Sequence, residues 1–181
     1  MQPIDLIDKY YADHVKAKNI LLAHSHLIAK LALKVAERVE QNEPVDKDFV
    51  VQAALLHDIG MLFTDAPKLD CHGERPYISH GIIGAEILRE EGLPLHALVC
   101  ERHIGVGLSI KDIVDQRLPL PLRDMRPQTL EEKIVAYADL FYSKTRQGKR
   151  NAEMVRKALA RHGQYKVSIF DEWHSHFNPQ S

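Results

Sequence analysis

The chain has 181 residues, with 24 Lys plus Arg against 25 Asp plus Glu and a formal net charge of -1. That length predicts one domain, residues 1–181, able to bury roughly 70% of its unfolded surface; the near-zero charge excludes the long-range field of a general nucleic-acid or membrane-surface binder. Two cysteines, Cys71 and Cys100, exclude a disulfide framework or a four-thiolate zinc site. No apolar run approaches the roughly 20 residues of a membrane helix, and the start Met1-Gln2-Pro3-Ile4-Asp5 has no basic, apolar leader, so a reducing cytoplasm is the expected location. Histidine is the outlier, with 11 copies.

The patterning is helical nearly everywhere. Residues 15–40 repeat apolar positions at helical spacing and are rich in Ala, Leu, Lys and Glu. Asp46 or Asp48 opens a second helix through Phe49, Val50, Ala53 and Ala54 to about His57, where Gly60 stops it. Residues 60–79 lack periodicity. Ser79 N-caps a helix from His80 to Glu91, and another spans about Leu95 to His103, ended by Gly105. Residues 105–128, rich in Gly and Pro, hold at most one short helix, near Ser109–Gln116. Thr129, with Glu131 and Glu132 behind it, opens a helix reaching about Lys144. Helices at about 151–162 and 165–177 finish the chain and pack on the rest, the stripe Phe170, Trp173 and Phe177 facing inward or, alternatively, a second copy. No four-residue stretch reads as a paired strand. The fold class is all-α: a single helical bundle with two long irregular loops, 60–79 and 105–128, both read as substrate-facing because loops beyond about 12–15 residues are often functional. A monomer or a homodimer is compatible with this pattern.

Several polar residues interrupt apolar faces. His24 shares a stripe with Ile28, Leu31 and Val35, whereas His26 falls with Lys30, Lys34 and Glu37 on the wet side. His57 follows Val50, Ala53 and Ala54; Asp58 follows Val51, Ala54 and Leu55. His80 shares a face with Ile83 and Ile87, His103 follows Val99 and Cys100, and Asp139 interrupts an apolar run on the face of Val135, Ala138 and Tyr142. One inward histidine is usually a satisfied core residue. Four histidines and two aspartates entering one core call for a shared partner, because buried carboxylates and ring nitrogens are costly when unpaired. Metal ions are the economical partner. Six ligands exceed one zinc site and suit two ions with a bridging carboxylate. Mixed imidazole and carboxylate donors favour Fe, Mn, Co or Zn, with Mg also admissible.

The ordered set His24, His57-Asp58-Ile59-Gly60, His80, His103 and Asp139 resembles the HD-domain superfamily of metal-dependent phosphohydrolases over about residues 20–145. The segments around Ile78-Ser79-His80-Gly81, Cys100 to Gly105 and Leu130 to Asp139 are similar to a small stand-alone branch of HDIG-type hydrolases. The resemblance implies that Asp58 bridges two metals, that His24, His57 and Asp139 hold one of them, and that His80 and His103 hold the other. It also implies hydrolysis of a phosphoester or phosphoanhydride in a small phosphorylated substrate such as a nucleotide, with Asp58 as the catalytic carboxylate. Cyclic-di-GMP phosphodiesterases of the superfamily carry Lys after the HDIG motif where this chain has Met61, and a Gly-Tyr-Pro motif where it has Ile104-Gly105-Val106, which disfavours that substrate. Lys68, Arg75, Arg102, Arg123, Arg126 and Lys144 are the candidate cations for substrate phosphate. The alternatives are a di-iron oxygenase of the same superfamily, which uses the same kind of ligand set, and a non-catalytic regulatory HD domain.

Overall fold

A computed structural model describes residues 2–146 and 148–178. Nine α-helices lie among the described residues: α1 Pro3–Tyr10, α2 Val15–Val39, α3 Lys47–Leu56, α4 His80–Glu90, α5 Pro94–Arg102, α6 Ile110–Asp115, α7 Leu130–Asp139, α8 Ala152–Ala160 and α9 Gln164–Phe177. Side-chain caps start several of them. Asp46 accepts from the Phe49 amide at 2.9 Å, Thr129 from the Glu132 amide at 3.2 Å, and Asn151 from the Met154 amide at 2.9 Å. Ser79 precedes α4 without a side-chain cap bond.

Three differences from the sequence expectation have physical causes. The segment 60–79 is ordered: 3-10 turns at Ile59–Phe63, Pro67–Leu69 and Tyr77–Ser79 alternate with β1 Thr64–Ala66, β2 Cys71–His72 and β3 Arg75–Pro76. β1 pairs antiparallel with β2 and parallel with β3. Strands of two or three residues are too short to display a period of two. The helix expected to reach Lys144 ends at Asp139. Phe141 and Tyr142 bond back to the carbonyls of Ala138 and Asp139 at 3.3 and 3.1 Å, the tight three-residue spacing of a terminating turn. Gly60 does not stop α3, which ends at Leu56. A Cβ at Gly60 would lie 2.3 Å from both the Gly84 nitrogen and the His80 oxygen, so its role is to let α4 approach the turn after Asp58. Gly81 does the same between α4 and α5, where a Cβ would meet the Cys100 oxygen at 2.6 Å.

Two apolar clusters meet at the middle of α2. Ile28 to Val39 join α3, α7, α8 and α9 in one; Ala17 and Leu21 join α1, the turn Ile59–Leu62, α4 and α5 in the other. Ala54 belongs to the first and Leu56 to the second; so do Val99 and Cys100 respectively. The polar residues between them therefore fall on the seam. Phe170, Trp173 and Phe177 are buried, with Phe170 and Phe177 against the Tyr137 ring. Among the described residues no helix is long and apolar enough to cross a membrane.

Candidate metal centre

The six residues reach the seam from five helices or helix ends. His24 projects from the middle of α2; His57 caps the C-terminus of α3, with Asp58 next; His80 begins α4; His103 caps α5; Asp139 closes α7. All four histidines are at most 5% exposed and Asp58 is 0% exposed. For His57 and His103 the helix-end placement has a chemical consequence, because the last carbonyls of a helix have no intrahelical donor. His57 Nδ1 donates to the Ala54 oxygen at 2.7 Å, His80 Nδ1 to the Tyr77 oxygen at 2.6 Å, and His103 Nδ1 to the Cys100 oxygen at 2.8 Å. A carbonyl only accepts, so each Nδ1 carries a hydrogen and each Nε2 faces the interior, where a neutral ring would present a lone pair.

These nitrogens converge on Asp58, one group at each oxygen. Oδ2 lies 2.9 Å from His57 Nε2 and 3.3 Å from His24 Nε2. Oδ1 lies 3.2 Å from His80 Nε2 and 3.6 Å from His103 Nε2. Asp139 Oδ1 joins the first group, 2.9 Å from His24 Nε2 and 3.6 Å from His57 Nε2. Ligand atoms of His24, His57, Asp58 and Asp139 lie within 4.8 Å of one another, and so do those of Asp58, His80 and His103.

The donor set fits a cation in each group. His80 Nε2 and His103 Nε2 are 3.2 Å apart, two acceptors face to face. His57 Nε2 and both Asp58 oxygens are buried without a directed hydrogen bond, although nitrogen and oxygen are close. Short distance without hydrogen-bond direction is what atoms aimed at a common third point produce. Burial works against ionising Asp58, but the charges of His57 and Lys144 hold its carboxyl well below the usual range. Asp139 is likewise held low, its contacts with His24 and His57 outweighing burial. Burial pushes His103 below its ordinary value, which keeps the ring neutral and its lone pair available.

Of the cations expected to meet substrate phosphate, one reaches the centre and one lines the cavity beside it. Lys144 Nζ lies 2.5 Å from Asp58 Oδ2, with its side chain 10% exposed, and 5.7 Å from the Tyr77 ring centroid. Lys68 lines a cavity of about 510 Å³ together with His24, Tyr77, Asp139, Tyr142 and Lys144. The others are held by carboxylates: Arg102 by Glu132 at 2.9 Å, Arg75 by Glu86 at 3.4 Å, Arg123 by Glu101 at 2.7 Å, and Arg126 by Asp124. A second cavity, about 880 Å³, is also lined by His24 and Lys144 and lies between α2 and Tyr142, Ser143, Arg146, Gly148 and Lys149. Neither of these cavities is lined by a residue of 105–128.

Sequence reasoning missed three contributors. Tyr77 orients His80 through its carbonyl and stacks on that ring at 4.5 Å. Tyr11, buried in α1's C-cap, donates to the Ile59 oxygen at 3.0 Å and accepts from the Leu62 amide at 3.1 Å, fixing the turn after Asp58. The basic residues Arg146, Lys149 and Arg150 line the two cavities beside Lys144. The last was legible as a basic run, Lys144-Thr145-Arg146-Gln147-Gly148-Lys149-Arg150; the first two depend on backbone carbonyls and a turn geometry that no side-chain pattern marks.

The family model for the HD domain matches residues 21–143. A tRNA (cytidine(56)-2'-O)-methyltransferase of Picrophilus torridus is 35% identical over 131 residues, 72% of this chain and 33% of that protein. An uncharacterized protein of Methanocaldococcus jannaschii is 44% identical over 119 residues, 65% of this chain and 61% of the relative. The chain thus spans about a third of the methyltransferase and less than two thirds of the second relative. Among solved structures, the HD domain of the Listeria monocytogenes phosphodiesterase PgpH aligns with a TM-score of 0.54 at 20% identity, covering 92% of this chain and 93% of that one. Its complex with cyclic-di-AMP aligns with a TM-score of 0.57 at 19% identity, covering 98% and 99%.

Proposed function

The chain belongs to the HD-domain family, and from that premise we propose that it is a metal-dependent phosphohydrolase acting on a phosphoester or phosphoanhydride of a small phosphorylated substrate, a nucleotide in the first instance. The observation that carries this reading is the division of Asp58: one carboxylate oxygen faces His24 and His57, the other faces His80 and His103. A carboxylate so placed would serve two ions at once, with His24, His57, Asp139 and Oδ2 holding one and His80, His103 and Oδ1 the other. When bound, such divalent cations supply Lewis-acid charge to phosphoryl oxygens and lower the pKa of water from 15.7 toward about 7.

The chain's own residues do the rest. Asp58 sets the spacing of the two halves, and three backbone carbonyls lock the ring orientations that this spacing needs. Lys68 and Lys144, which line the cleft, would be the cations to bind a phosphoryl group there. Cavities of about 510 and 880 Å³ flanking the centre leave room for a nucleotide-sized molecule. The cyclic-di-AMP bound by the structural neighbour supports a nucleotide class.

The test is chelator-stripped protein reloaded with Mn, Fe, Co, Zn or Mg and offered a panel of nucleotides and phosphoesters, with and without dioxygen. Phosphate release that needs metal and ignores oxygen is expected. Turnover that needs dioxygen would replace this reading with the di-iron oxygenase.

A further inference from the structure

Lys144 stands where the ligand cluster meets the cleft, and its ammonium is committed to the ligand side. Nζ is 2.5 Å from Asp58 Oδ2, the oxygen that also faces His24 and His57. An ammonium has three donors and no lone pair, so it neutralises that oxygen but cannot join it in holding a cation. Two positive centres on one carboxylate oxygen repel each other. Building on the metal-centre reading above, we propose that Lys144 is a displaceable counter-cation: it holds Asp58 in the metal-free protein, competes with the incoming ion for Oδ2, and on loading turns into the cleft to face the substrate's phosphoryl group.

Three features of the structure support the exchange. Asp58 is 0% exposed, and a carboxylate buried that fully needs compensating charge before any ion arrives; Lys144, at 10% exposure, supplies part of it alongside His57. Lys144 also lies beyond the last residue of α7, on a stretch held by the bond from the Tyr142 amide to the Asp139 oxygen, a bridge between Ser143 and Arg146, and the bond from the Arg150 amide to the Phe141 oxygen. No helical ladder restrains the side chain. Finally, it has somewhere to go. The two cavities on either side are both lined by Tyr142, Ser143 and Lys144, so a pivot of the four-carbon stem moves Nζ from Oδ2 to open space without moving the backbone. The arrangement makes Lys144 a substrate-binding cation whose availability ties phosphate capture to metal loading.

The experiment uses the full chain, stripped with chelator and titrated with Mn(II), free Mn(II) being read by electron paramagnetic resonance. Lys144→Met should bind Mn(II) about tenfold more tightly than wild type, a coupling of ordinary size between linked sites, whereas Lys144→Arg, which keeps the charge, should stay near wild type. In parallel, wild-type protein is acetylated with acetic anhydride and mapped by peptide mass spectrometry. Labelling of Lys144 should rise several-fold when Mn(II) is added, with the exposed Lys34 as an unchanged reference. Mn(II) affinity in Lys144→Met that is equal to or weaker than wild type overturns the proposal, and so does a Lys144 that stays shielded in the loaded protein. If Lys144→Met does not fold, the wild-type labelling decides. Tighter Mn(II) binding without phosphate release from any substrate counts against the hydrolase reading alone; a wild-type protein that binds no Mn(II) overturns both.

Discussion

Residues 60–79 and 105–128 are both long and irregular, yet only the first borders the cleft. Asp65, Ala66, Pro67, Lys68, Leu69 and Tyr77 of the first line the cavity that holds His24 and Asp139. The second folds away from it. Leu108 and Met125 bridge its two ends, Ile113, Leu120 and Met125 pack with Ile82, and Lys166 of α9 reaches in to donate to the Gly107 oxygen at 2.9 Å and Asp112 Oδ2 at 3.1 Å. Lys166 is 4% exposed and Asp112 is 5% exposed. The difference lies in what each segment is anchored to. A short sheet and three 3-10 turns hold 60–79 at the end of α3, one turn away from His57 and Asp58. A buried ion pair with a distant helix holds 105–128 on the far side of α4. Length and irregularity mark both segments in sequence; the anchors separate a cleft wall from a structural flap.

The largest expected effect is on the cleft side. Asp58→Asn keeps the shape and removes the charge, so neither group of ligands retains its shared carboxylate. Changing a residue that merely orients a metal ligand typically costs 10–100-fold in affinity or activity, and loss of the bridging carboxylate should exceed about 100-fold in both. Metal content by mass spectrometry and phosphate release are the readouts. A variant that keeps a full complement of metal would remove Asp58 from the centre.

Lys166→Met probes the other segment. Removing one partner of a buried pair leaves Asp112 uncompensated, a loss of about 3 kcal/mol and a fall in Tm of about 6–12 °C for a chain of this size. Metal affinity should not change. Equal loss of stability and of metal affinity would mean that 105–128 supports the centre after all.

The same pair gives a pH signature. Burial pushes Asp112 upward, but hydrogen bonds from Tyr165, Ser109 and Lys166 outweigh it and bring the carboxyl from its ordinary 3.8 to about 2. Below pH 3.8 the unfolded chain takes up a proton that the folded chain refuses, so stability falls as pH drops. The contribution, about 2 kcal/mol, is complete above about pH 4 and gone below about pH 2. Urea melts of wild type and Asp112→Asn between pH 5 and 2 should therefore converge as the pH falls. Parallel curves would show that Asp112 is not depressed.

How much of this was legible beforehand depended on what kind of signal each feature leaves. The six candidate ligands could be read because a polar residue on an apolar helical face is conspicuous, and five helices display such faces. The carbonyls of Ala54, Tyr77 and Cys100 that orient three of the rings could not be read, because every residue has a carbonyl and no side-chain pattern marks the ones that face a ring. Arg102 adjoins His103 in sequence, but consecutive helical positions differ by about 100°, and its guanidinium turns to Glu132 rather than to the centre. The apolar run Leu140-Phe141-Tyr142 disguised the end of α7, and with it the turn that returns Lys144 to Asp58. In 60–79 the strands were too short to carry a pattern, and Gly60 resembled a helix stop although its function is close approach to α4.

The smallest effect provides the finest test of the contrast between the two segments. Lys68 on 60–79 is exposed and lines the cleft; Arg123 on 105–128 is tied to Glu101 at 2.7 Å. Lys68→Ala should raise KM about fivefold, the worth of roughly 1 kcal/mol for a partly screened contact with a phosphoryl group, and leave kcat and Tm nearly unchanged. Arg123→Ala should do the reverse, leaving KM in place and lowering stability slightly, because Glu101 retains Arg89 as its second partner. A KM response to Arg123→Ala matching that of Lys68→Ala would mean that both segments face substrate, and that the buried anchor at Lys166 does not separate their roles.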